Sequence, residues 1–159
     1  MAVPLKVIIS EPSSITPDGP PGPAVSLKVT IENTSDKPVS FLKWSSPFDP
    51  RASPMGIFLF TSQKTGETAP SVELKINRKI PESGVFDQED VIKIAAGEKV
   101  EKQLQIKAPD VTLQQGEKYE VRAKGNWMHV KVGEYSSLKT AEDGVLRGEF
   151  ESASVGVSV

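Results

Sequence analysis

The chain has 159 residues, enough for one domain that buries roughly two thirds of the surface its unfolded form exposes. Its net charge of -2, with 37% hydrophobic and 25% charged residues, gives no attraction for nucleic acid or an anionic membrane, and no stretch approaches the roughly 20 apolar residues that span a bilayer. The absence of cysteine excludes disulfides, a thiolate nucleophile and Cys-ligated zinc, and a single histidine excludes a two-histidine metal site within one chain.

The start, "MAVPLKVIISEPSS", has no basic n-region, too short an apolar run for a secretory leader, and Pro4 inside it. The expectation is a cytoplasmic chain, or a secreted one if Met-Ala stands in place of a removed leader. "TPDGPPGP" (16–23) is turn chemistry and reads as a loop inside the domain. In "VSLKVTIE" the apolar residues Val25, Leu27, Val29 and Ile31 alternate with Ser26, Lys28, Thr30 and Glu32, the signature of a strand wet on one face. "NTSDKP" (33–38) is a turn that also contains the acceptor triplet Asn33-Thr34-Ser35; in a secreted protein this loop tip is where a sugar would sit.

The following "VSFLKWSSPFDPRASPMGIFLF" is a β-rich run broken by Pro47, Pro50 and Pro54. Proline stiffens such a crossing by fixing φ and removing donors. Two readings stand side by side. In the architectural one, Trp44 and Phe48 fill the core at a corner of the fold and Arg51 pairs with a nearby acid. In the functional one, Trp44, Phe48, Asp49, Arg51 and Met55 form a preorganised partner-contact surface, rich in the residue types that anchor interfaces. Trp127 and Met128 of "KGNWMHV" (124–130) carry the same two readings.

Further along, "SVELKIN" sets Val72, Leu74 and Ile76 against Glu73, Lys75 and Asn77 and predicts a strand. The overlapping "KINRK" (75–79) is basic, but Glu73 and Glu82 flank it, so it reads as a solvated strand face. "FDQED" (86–90) lacks the Asp-x-Asp-x-Asp-Gly pattern of a calcium loop and reads as a solvated acidic loop. "KVEKQLQIK" (Val100, Leu104, Ile106), "KYEVRAK" (Tyr119, Val121, Ala123) and "ASVGVSV" (Val155, Val157, Val159) alternate as strands, with "AAGEK" and "QQGEK" as turns. "SLKTAEDGVLRGEF" (137–150) has room for one short helix before Gly144. His129 lies in an alternating run with no nucleophile elbow, so the expectation is no catalytic residue, no metal, no cofactor and no enzyme. Together these elements predict an all-β fold: one domain over 1–159, an antiparallel β-sandwich of about seven to nine strands, immunoglobulin-like in the loose sense.

The succession "VTIENTSDKPVSFLKW", "GIFLF", "VELKINRKI" and "VIKIAAGEKVEKQLQIKAPDVTLQQGEKYEVRAKG" resembles the propeptide of the fungal deuterolysin zinc proteases over roughly residues 25 to 125. "PFDPRA" (47–52) and "KGNWMHV" are similar to stretches in stand-alone fungal proteins of that kind. The protease itself uses His-Glu-x-x-His, which one histidine cannot supply, so no catalytic residue carries over. The resemblance implies a propeptide-like sandwich, with C-terminal strands to 159, that lives without its protease. It would be a protein-binding module whose partner is a metalloprotease, inhibited or chaperoned through exposed loops or an added edge strand. Two alternatives are a cytosolic scaffold unrelated to proteolysis and a small-ligand or carbohydrate-binding sandwich that stacks sugars on Trp44 or Trp127.

Overall fold

A computed structural model describes residues 2–15, 22–134 and 138–159. Among these residues there are nine strands: β1 (Leu5–Ile15), β2 (Ala24–Asn33), β3 (Val39–Leu42), β4 (Phe58–Ser62), β5 (Val91–Ile94), β6 (Lys99–Lys107), β7 (Lys118–Val132), β8 (Leu146–Glu151) and β9 (Val155–Ser158). The only helical piece among the described residues is one 3-10 turn, Gln88–Asp90. The chain is the expected all-β antiparallel sandwich. Most of the expected loop at 16–23 falls on residues 16–21, outside the described residues.

Alternation becomes pairing where both edges of a strand find neighbours. β2 is the middle of a three-stranded sheet, β1-β2-β6, in which Val29 lies opposite Ile9 on one side and Lys102 on the other. Its inward residues Val25, Leu27, Val29 and Ile31 are buried. At the edge of that sheet, β6 turns Glu101, Gln103, Gln105 and Lys107 to solvent, and such a polar, charged edge resists pairing with other chains.

The second sheet is organised around β7. Its first half pairs β4 (Phe60 opposite Val121) and β9 (Val157 opposite Tyr119); its second half pairs β3 (Phe41 opposite Val130) and β8 (Phe150 opposite Gly125). β3 continues outward to β5. The chain leaving β3 at Leu42 therefore rejoins β7 further back, at Phe58, and residues 43–57 are the excursion between. The inner face of this sheet supplies Phe41, Phe58, Phe60, Trp127 and Phe150 to a core shared with β2. Phe41 meets the Trp127 ring edge-on at 5.2 Å, and Phe150 lies 4.9 Å from it on another side, geometry in which positive ring edges meet negative faces.

Three sequence expectations need correction. "SVELKIN" is not a strand: after Ser71, which bridges to Val111, residues 72–81 take no place in either sheet. Glu73 has φ 47, a left-handed conformation that interrupts a pleat. The region 138–150 holds no helix, because a turn at Asp143–Gly144, with Gly144 at φ 77, feeds directly into β8. Finally, Asn33 is no sugar acceptor in the folded chain. It is fully buried, and its Nδ2 donates to the carbonyls of Lys37 (2.7 Å), Ile94 (3.0 Å) and Ala95 (3.1 Å), while Oδ1 accepts from Ser35. It binds the end of β2 to the turn after β5, satisfying carbonyls that burial would otherwise leave costly.

Candidate binding cleft

Leu42, the last residue of β3, points away from the core, as do Met128 and His129. The register of β7 against β8 shifts between Trp127 and Val130, so two consecutive residues turn to the outer face. On that face Leu42, Phe86 and Leu138 form a second, small apolar cluster, joined by Trp44 and Val91. Two loops cover it and are stitched together by Phe86 N to Leu138 O (2.9 Å) and Thr140 N to Gly84 O (2.9 Å). Between this cover, the 43–57 excursion and the unpaired segment 76–80 lies an open cleft of about 350 Å³, floored by Phe86 and His129 and walled by Trp44, Arg78, Ile80 and Met128.

Asp49 is the keystone of one wall. Its side chain is fully buried and accepts both guanidinium nitrogens of Arg78 at 2.7 Å, together with the amides of Ser45 (2.8 Å) and Arg51 (2.9 Å). Burial pushes its carboxyl up, but Arg78 and the two amides outweigh it and hold the group below its ordinary value. The amide bond from Ser45 supports a residue held at φ 63, where non-glycine residues are strained. Arg78 also lies 5.7 Å from the Trp44 ring centroid, within cation–π range, and the edge of Phe86 meets that ring at 5.4 Å.

His129 is 3% exposed. Its ring meets Phe86 at 5.1 Å, and its Nε2 lies 3.5 Å from Glu142 Oε1. Burial pushes the imidazole down more than Glu142 lifts it, and the charges of Arg147 and Lys131 add to the lowering. Glu142 is held below its ordinary value against burial by the Lys139 amide, His129 and Lys131. Lys131 donates to the Asp143 carbonyl and also faces Glu142 at 3.5 Å, tying the 138–145 loop to β7.

The sequence-predicted contact residues part company here. Trp44 is half-buried and lines the cleft; Met55 is half-buried and packs on the main core; Arg51 is exposed. Phe48, Asp49 and Trp127 lie inside: Phe48 and Trp127 belong to the core, and the Asp49 carboxylate is spent on Arg78 and the amides. A partner cannot reach those three, and Trp44, Phe48 and Arg51 are not exposed together. Sugar stacking on Trp127, 2% exposed, is likewise closed. Arg51 is not the partner of the nearby acid; Arg78 is. Met128, which carried the same two readings as Trp127, does line the cleft; Arg78, Phe86, His129 and Arg147 are among the lining residues that no contact reading named. The even-numbered run Ile76, Arg78, Ile80 carried the signal, because one parity of an extended chain shares one side. "FDQED" brings Asp87, Glu89 and Asp90 within 4.8 Å of one another at the surface, a cluster outside the cleft.

A model of the immunoglobulin-like domain family matches residues 18–159 of this chain. A protein of the fungus Arthroderma benhamiae, bearing the name "Uncharacterized secreted protein", is 30% identical over 138 residues, covering 83% of this chain and 68% of its own length. That name lends no support to the cytoplasmic expectation. No helix among the described residues is long and apolar enough to cross a membrane.

Proposed function

This chain belongs to the immunoglobulin-like domain family, and from that premise we propose that it is a secreted, non-catalytic protein-binding module whose contact surface is the cleft outside the second sheet. The observation that carries the reading is where the exposed large apolar residues lie. Of the five among the described residues, the most exposed, Ile80 (55%), and Met128 (45%) both line the cleft; Val72, Leu74 and Ile15 lie outside its lining. Exposed apolar side chains at the rim of a cleft mark a place of association. Secretion follows the name of the fungal relative.

The resemblance to deuterolysin propeptides supplies the partner class: a zinc metalloprotease held inactive or escorted by the module. Titrating such a protease with the folded protein is the test. A saturable loss of protease activity at micromolar or lower concentration, with a complex on gel filtration, is the expected result. Unchanged activity and no complex would remove the protease as partner.

A further inference from the structure

Residues 75–80, "KINRKI", have an unusual backbone. They run without turn or bend, and among the described residues none of their amides or carbonyls takes a hydrogen bond from the rest of the chain. Both ends are nevertheless fixed. The Leu74 amide donates to the Pro54 carbonyl at 2.8 Å, the Asp49–Arg78 pair pins the middle, and just beyond the far end Thr140 N donates to Gly84 O at 2.9 Å. A straight segment with free donors and acceptors, already held in place, is a strand template whose ordering cost on binding has largely been met.

We propose that this segment is the edge on which a partner protein adds an extended, acidic strand, placing one apolar side chain in the cleft and a carboxylate beside Arg147. The inference rests on the binding-module reading and specifies its mode. Strand addition uses main-chain bonds for affinity and pockets for alternate side chains for specificity. The pocket is the cleft, where Ile80 and Met128 offer apolar contact. Charge selects the occupant. The cleft lining carries Arg78 and Arg147 and no carboxylate; Arg78 is already paired with Asp49, and on the segment Lys79 with Glu82 at 3.2 Å, so Lys75 and Arg147 are the cations left for a partner. A second copy of this chain, pairing antiparallel on the same segment, would add more basic side chains and no acid within 75–80, and like charges facing across strands are disfavoured. An acidic strand would set carboxylates beside Lys75 and Arg147 instead.

The test uses the full chain and blocked ten-residue peptides that alternate leucine with aspartate, with serine or with lysine. The aspartate peptide should bind at least about tenfold more tightly than the serine peptide, with the lysine peptide weakest, and should slow amide exchange across residues 75–80 about tenfold or more. Asn77→Pro, which removes one donor from a stretch outside both sheets, should weaken the aspartate peptide about tenfold. Arg147→Glu, at an exposed site, should shift the preference toward lysine. Binding without slowed exchange at 75–80, or a preference that Arg147→Glu leaves in place, overturns the proposal. Slowed exchange that grows with protein concentration alone also overturns it and assigns the edge to a second copy. Peptide binding with no protease complex keeps the edge and removes only the protease; a protease complex without peptide binding removes only the edge.

Discussion

Trp127 and His129 stand two residues apart on β7 and live in different surroundings. Trp127 lies between Phe41 and Phe150, in a core built by two sheets. His129 lies under Phe86 on the opposite face, where its neighbours are Glu142, Lys131 and loops rather than another sheet. The inner side is closed by strand pairing from both layers, so its geometry is over-determined. The outer side is closed by loops joined through a few polar bonds, and it is there that space, charge and exposed apolar atoms remain. The core and the proposed contact surface thus divide between the two faces of one strand.

If that division holds, substitutions should separate by face. Trp127→Ala should cost about 4 kcal/mol, as large-to-small changes in a packed core do, and denaturant unfolding will measure it. Asp49→Ala strips Arg78 of its partner and frees the amides of Ser45 and Arg51; a loss of about 3 kcal/mol is expected, with faster exchange at 75–80 because the wall of the cleft loosens. An equal cost for both changes, with no change of exchange at 75–80, would erase the distinction between a closed core and a pinned wall.

Acid should act on the outer face first. His129 is depressed from an ordinary value of 6.5, so the unfolded chain takes up a proton before the folded one. Stability is whole above about pH 6.5 and falls as pH drops below it toward the folded value. Glu142 and Asp49 are lowered from 4.5 and 3.8, so their contribution is present above those values and is lost in a second, more acid step. His129→Gln should remove the first step and leave the second in thermal melts across pH. At the small end, Met128→Ala should move stability by no more than about 0.5 kcal/mol, as exposed substitutions do, while weakening whatever occupies the cleft. A large loss of stability would return Met128 to architecture.

Much of the inner face was legible in the residues. β2, β6, the first half of β7 and β9 all follow one-sided alternation, and Gly and Pro turns separated them. The failures have a common cause. "SVELKIN" alternates as cleanly as β2, but a pattern reports only which sides a strand would offer, and among the described residues no strand pairs with 72–81. The outer site was less legible because its bonds join distant residues. Asp49 chooses Arg78, 29 positions away, over Arg51, and nothing in "PFDPRA" or "KINRK" announces that choice. The prolines of the 43–57 excursion marked a stiff crossing correctly, but half-buried Trp44 and buried Phe48 show that one such crossing can feed both the interior and the cleft.

The sheet built on β7 has a consequence for how the molecule is made. Its four direct neighbours come from both sides of it in the sequence: β3 and β4 precede it and wait for it, whereas β8 and β9 leave the ribosome after it. During synthesis the central ribbon is exposed along one border until residues 146–158 emerge, a delay on the order of seconds. Aromatic surface that ends beneath Phe150 is bare for that interval, so the nascent chain is most vulnerable to clumping after β7 has emerged and before β8 has.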